Sequence, residues 1–472
     1  TQAMLAGKSI EEFSDLPAMT DPDKLAAMHI LVTATNPVYF SNPKMFPLLV
    51  FHMVDLSIEY GNSTNSAFGF GVFGIILCGA FGQIEEGYQF GLLGQNLQEG
   101  LKARELTARV SMNMNVGTIH WKEHLRGSLD PLLQGYKTGL ELGDLEFGLF
   151  CAVSYCNNLF YTGRELLFVE QELVKFEEVA HRLKHYHHEQ NNTLFRQVVL
   201  NLGGRSDDPC RLQGEACDET EVITSATEAK NRTRLHQVYA NKTLLSYLFH
   251  DYSSALQNAR LAENEADAVM GSYHQPQHNL FYSLALLAMY PELPDLAQKE
   301  AMEKVSVNQE FMKNWAEHAP MNYRHKFDLV EAERARVLDH AEDARASYAR
   351  AIDHARSEEF LMEEAIACEC AARYHLELGM KDAATKYIKD ARHAFLRWNA
   401  SAKVNDIDER YAALLAPAPV EDSSKEIPAR IVGRSTRISN SDALDFTTVY
   451  KATQAISGEI VLSDLFKKLI LI

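Results

Sequence analysis

Ala344-Arg345-Ala346-Ser347-Tyr348-Ala349-Arg350-Ala351 and, 39 residues on, Ala383-Ala384-Thr385-Lys386-Tyr387-Ile388-Lys389-Asp390-Ala391 decide the fold. In each, an alanine is followed four residues later by a tyrosine and then by a further alanine. Ala332 and Ala335 precede the first stretch, and Ala371 and Tyr374 the second. Three- and four-residue steps place such residues on one helix face. Small side chains belong where two helices cross closely, and the tyrosine fills the gap beside the crossing. A spacing of this size fits one helical hairpin with its turns, the unit of a solenoid.

The same pattern extends towards the N-terminus. Asp21 to Ala34 begins at Thr20-Asp21-Pro22, where a polar cap and a first-turn proline suit a helix start. Ser41 to Tyr60 reads as a second helix. Residues 65–81 and 84–100 form a hairpin about Gly82-Gln83, with Gly71 and Gly74 on one arm facing Gly87, Gly91 and Gly94 on the other. Further turn-and-helix starts are expected at Leu97 to Gly100, Leu145 to Gly148, Ser253 to Leu256, Asp295 to Gln298, Glu342 to Arg345 and Lys381 to Ala384. Between the second and third of these, Leu166, Val169, Leu173, Phe176, Ala180 and Leu183 mark the buried stripe of one long helix. Residues 203–231, rich in Gly, Asp, Thr and Ser, are expected to form a loop.

The expected architecture is therefore all-α, a TPR-like helical-hairpin superhelix over residues 1–417. A Pro- and Ser-rich linker over 418–441 follows. Residues 442–472 read as a signalling helix, with Phe446, Val449, Thr453, Ile456 and Ile460 at alternating three- and four-residue steps. With 46% hydrophobic residues and only 14 prolines, most of the 472-residue chain should fold. A net charge of −18 argues against a nucleic-acid backbone or an anionic membrane as partner. Seven cysteines, an odd number without disulfide spacing, fit buried free thiols in a reducing cytoplasm. The chain has no charged-then-apolar leader, starts without methionine and stops inside an apolar run, as a piece of something longer would. Ala67 to Gly82 is uncharged but short for a membrane span, so a buried solenoid helix is expected.

Catalytic chemistry finds little footing. Gly69-Phe70-Gly71-Val72-Phe73-Gly74 spells the dinucleotide fingerprint, yet it lies inside an apolar helix with no strand before it, so helix-packing glycines are expected. Gly7-Lys8-Ser9 lacks the rest of a phosphate loop. His181, His185 and His188, with His187 beside them, are the best metal candidates, but a solvated helix end is the simpler reading. Cys210 and Cys217 lack a second cysteine pair and read as incidental or as a conditional redox pair. Asp207-Asp208 lacks a further aspartate, and Glu85-Glu86, Glu177-Glu178 and Glu358-Glu359 read as solvated helix surface. No catalytic, cofactor-binding or metal residue is expected.

Leu16 to Met28 resembles the segment following the ATPase module in very large bacterial and fungal signalling kinases. His120 to Leu125, Gly143 to Phe147, Asp208 to Leu212, His318 to Asn322 and Val330 to Arg334 match that family in order. Lys451 to Ile460 resembles its helix leading into a GAF domain, which implies that residues 442–472 are a signalling helix and the truncated start of that domain. The resemblance implies a TPR-like region between an AAA/STAND-type ATPase and GAF and sensor-histidine-kinase domains, in a chain that opens with a protein-kinase-like domain. The family's catalytic motifs belong to those other domains, so this segment is expected to be non-enzymatic. Placed there, a solenoid with its long groove is expected to couple the ATPase switch to downstream signalling by holding a protein segment on its concave face, and the heptad-like C-terminal helix is expected to pair two chains through Val449 and Ile456. The alternative is a small effector held inside the superhelix, as in ATP-dependent STAND regulators; a closed pocket of aromatic and polar residues would favour it. A weaker alternative is a metal-dependent hydrolase built on the histidine group.

Overall fold

Alternating helices and tight turns account for nearly all of residues 9–41 and 44–416, which the computed structural model describes. Among these residues every regular element is helical, apart from two isolated bridges. The array opens with α1 (Pro22–Ser41), α2 (Phe46–Tyr60), α3 (Thr64–Phe81), α4 (Ile84–Gly100) and α5 (Thr107–Gly117). Short 3-10 turns then carry the chain to α6 (Leu129–Leu142) and α7 (Leu145–Tyr161). Next come α8 (Leu166–Arg182), α9 (Tyr186–Leu202), α10 (Glu219–Glu228), α11 (Arg232–Leu248), α12 (Tyr252–Glu263) and α13 (His274–Met289). The last long helices are α14 (Asp295–His318), α15 (Pro320–Val337), α16 (Ala341–Ser357), α17 (Leu361–Glu377) and α18 (Lys381–Trp398). The short α19 (Ser401–Arg410) and α20 (Ala412–Leu415) complete the described chain. Most helices pack on their sequence neighbours, the pairing that defines an all-α solenoid.

The hairpin glycines sit where expected. A Cβ on Gly74 would stand 2.4 Å from the Gly87 carbonyl oxygen, and one on Gly94 2.6 Å from that of Ala67. Only hydrogen atoms fit between α3 and α4. By length and composition α3 could cross a membrane, but 67% of it is buried inside the fold, as a core helix should be.

Four expectations are corrected. In the repeat, Ala384 and Ile388 are the buried counterparts of Ala344 and Tyr348, one residue later than the 39-residue spacing implied, while Ala383 is partly exposed. The true period shows in the turns. Asp339, Glu359, Gly379 and Asn399 all have φ between 56° and 73°. Each is followed by an amide that donates to a carbonyl five residues back: His340 to Ala335, Phe360 to Ala355, Met380 to His375 and Ala400 to Phe395, at 2.8–3.0 Å. These are Schellman turns, and three of the four left-handed residues are not glycine, which hid them from sequence reading.

The same turn breaks the supposed single long helix. Lys184 has φ 60° and the His185 amide donates to Ala180 O at 2.9 Å, so α8 stops at Arg182 and α9 starts at Tyr186. Leu97 to Gly100 closes α4 instead of starting a helix. Finally, residues 203–231 contain α10, because Asp218 Oδ1 accepts the Thr220 amide at 2.7 Å and caps its N-terminus. The linker and signalling helix expected at 418–472 lie outside the described residues.

Candidate functional site

Several motif stretches prove to hold the array together. His120 is fully buried; its ring nitrogens lie 2.5 Å from Tyr323 Oη and 3.0 Å from Gly271 O. Asn322 reaches back across the solenoid. Its Nδ2 donates to the carbonyls of His120 (2.8 Å) and Glu123 (2.6 Å), and its Oδ1 accepts the Leu125 amide (3.0 Å). Trp121 is wedged among Trp315, Tyr323 and His120 at ring separations of 4.3–5.7 Å. Arg126 bonds the Glu359 carboxylate and, at 2.8 Å, the Glu359 carbonyl. Residues 120–126 thus act as a plug that locks early helices onto late ones. Two acidic pairs expected to be plain helix surface take part: Glu85 holds Lys122 at 2.7 Å, and Glu359 holds Arg126.

Beside this plug the interior stays open. A cavity of about 190 Å³ lies where α1, α3, α5, α7, α9, α11 and the start of α13 meet. It is the seam between two apolar zones, one built around Phe70, Phe90 and Val50, the other around Phe160, Leu194 and Val238. Phe68, Val72, Phe147, Phe150 and Val153 give apolar wall. Asn113, Asn157, Arg234, Gln237 and His274 are buried or half-buried polar lining. Partly exposed Asn36, His187 and Thr233 mark the rim.

Four buried polar atoms of this lining have no hydrogen-bond partner: Asn113 Nδ2, Asn157 Oδ1, Arg234 Nε and Gln237 Oε1. Such atoms cost free energy unless something bonds them. Burial pulls both His187 and His274 down to about 4, so neither carries charge near neutral pH. His274 Nδ1 lies 2.8 Å from Tyr161 Oη. No sequence signal singled out this set. Asn113, Asn157, Arg234, Gln237 and His274 are scattered over four helices and are ordinary residues in each.

The histidine candidates separate at the α8–α9 turn. His181 pairs with Glu189 at 3.2 Å, facing solvent. His185 Nδ1 and His188 Nε2 each stand 3.3 Å from Glu146 Oε2, and the three donor atoms lie within 4.8 Å of one another. Hydrogen bonding to His188, above all, holds the Glu146 carboxyl below the usual carboxylate range. The carboxylate is thus already engaged by both imidazoles. We expect metal analysis of the purified chain to find no stoichiometric metal, and a chelator to leave Tm unchanged. One zinc per chain, lost in His188→Ala, would reverse this. A second group, His250, Glu369 and Asp406, surrounds the Lys403 ammonium at 3.0 and 2.6 Å from the two carboxylates, so its cation position is filled.

The remaining candidates show no chemistry. Gly69, Gly71 and Gly74 lie within α3, with Met53, Asn113 and Gly87 against them. Gly7 and Lys8 lie outside the described residues. All seven cysteines are free, and burial pushes Cys210 and Cys217 up to about 12, far from reactive thiolates. Asp208 Oδ1 accepts the Cys210 amide in a local turn.

No family model matches the chain. It is 29% identical over 129 residues to hybrid signal transduction histidine kinase G of Dictyostelium discoideum, a match covering 27% of this chain and 4% of that protein. The chain therefore spans a small part of the curated relative it matches. It is also similar to a circular tandem repeat protein with novel repeat topology and enhanced subunit contact surfaces, at TM-score 0.18 and 11% identity, over 83% of this chain and 95% of that one.

Proposed function

We propose that this chain is a non-catalytic regulatory region of a multidomain signalling protein, and that it senses a small molecule held in the interior cavity. The observation that carries the second half is the cavity itself, which lies beside the Asn322 closure and is lined by aromatic and unpartnered polar groups. Its place at a seam between two apolar zones suits a sensor, since an occupant bridging both zones favours one way of stacking them over another. Similarity to a hybrid histidine kinase over 129 residues supports the signalling context. Coupling of an ATPase to GAF and histidine-kinase output, in the cytoplasm and with two chains paired through Val449 and Ile456, is the wider form of the same reading.

A protein partner is the second reading. It is favoured by Val307 and Phe311, exposed one turn apart on α14, with Leu296 exposed near the start of that helix.

The test compares the chain with a Val153→Phe variant, which fills the cavity. The dialysable fraction of a cell extract is expected to raise Tm of the unsubstituted chain and to leave the variant unmoved. Equal shifts for both, or a shift produced only by the protein fraction, would defeat the small-molecule reading.

A further inference from the structure

Among the described residues, the other two buried Lys or Arg side chains meet a carboxylate: Lys326 has Glu363, and Lys403 has Glu369 and Asp406, while the half-buried Arg336 and Arg373 both have Glu333. That is what the cost of burying an unpaired ion demands. Arg234 departs from the rule. It is 4% exposed, yet among the described residues no carboxylate lies within ion-pair distance. Its one side-chain hydrogen bond is a 3.3 Å contact from Nη1 to Gln190 Oε1, and Nε has none. Burial pulls its guanidinium below the ordinary value, the mark of a charge without compensation. The residue is nevertheless placed on the cavity wall.

Building on the cavity reading above, we propose that the occupant is a small organic monocarboxylate. Its carboxylate lies on the Arg234 guanidinium, its apolar body lies against Phe68, Phe147 and Val153, and a hydroxyl or N–H group donates to Asn157 Oδ1 or Gln237 Oε1. A guanidinium fork matches a carboxylate in geometry and charge. The stoichiometry follows from the lining. Among the described residues Arg234 is the one cation in the wall, because His187 and His274 are held neutral, so a single negative charge is balanced and a phosphate dianion is not. Asn113 Nδ2, also unpartnered in the lining, is a further donor open to the occupant. The apolar remainder of the wall selects a body of hydrocarbon or aromatic character.

Three probes of matched shape separate the claims: 3-phenylpropionate, its amide and 3-phenylpropanol, titrated calorimetrically into the chain at neutral pH. The acid is expected to bind at least about tenfold more tightly than the amide or the alcohol, the size of one charge-assisted hydrogen bond. Arg234→Gln is expected to abolish that preference. Without ligand, Arg234→Gln should leave Tm unchanged or raise it, whereas a structural arginine would lower it. If the amide binds as tightly as the acid, or inorganic phosphate displaces the acid, the monocarboxylate is overturned while the cavity reading stands. If none of the three binds, the monocarboxylate falls, and the extract comparison with Val153→Phe decides the cavity reading separately. Should Arg234→Gln fail to fold, the comparison of acid, amide and alcohol on the unsubstituted chain still decides.

Discussion

Lys326→Met is expected to destabilise the chain by about 3–5 kcal/mol, the usual cost of removing one partner from a buried ion pair. Lys326 and Glu363 are each about fully buried, on α15 and α17, and the ammonium bonds the carboxylate directly. Gln277 on α13 donates to the same Glu363 oxygen at 3.1 Å, so one carboxylate ties three helices. Tyr273 and Phe360 present ring faces to the ammonium at 5.6 and 5.4 Å. Burial pulls the amine below its ordinary value, and Glu363 opposes that pull by favouring the charged form. Methionine keeps the stem's volume but strands the carboxylate. The double replacement Lys326→Met with Glu363→Leu should therefore recover most of the loss, since apolar isosteres of buried pairs are often neutral or better. Chemical denaturation of the two variants checks this. A single variant within about 1 kcal/mol of the parent, or a double variant no better than the single, contradicts the account.

Trp121→Ala is expected to cost about 3–5 kcal/mol as well, through the cavity it leaves. The location makes its consequence different in kind. Trp121 is fully buried and donates Nε1–H to Gly117 O at 3.0 Å, while its ring touches Trp315 and Tyr323, nearly two hundred residues away. Removing it loosens the closure between early and late helices and leaves each hairpin intact. Hydrogen exchange should show lost protection at 119–125 and 319–323 well before any loss within α17 and α18. Uniform loss throughout the chain would mean that the plug and the hairpins form one unit.

The hairpins were legible in the sequence because their determinants are local. Gly74, Gly87 and Gly94 recur at helical spacing on adjacent arms, and that recurrence has one physical meaning. The repeat register was off by one because Tyr387 looks like the partner of Tyr348, while burial follows Ile388. Turns built on Asp339, Glu359, Asn399 and Lys184 carry no glycine to announce them. The closure by Asn322 and the polar lining around Arg234 were invisible for a further reason. They join residues far apart in the chain, and no helical period reports such contacts. His120 to Leu125 and His318 to Asn322 both read as motifs, but nothing in one points to the other.

Asn322 has a bearing on how such a chain can change over generations. An open array tolerates gaining or losing a hairpin, because each new copy meets only its neighbours. Here one amide must land on the carbonyls of His120 and Glu123 and on the amide of Leu125. Inserting or deleting a unit between them would rotate it out of reach. The number of hairpins between residues 125 and 322 is thereby frozen, and within that interval length variation is left to loops that add no unit, such as the irregular stretch before α10.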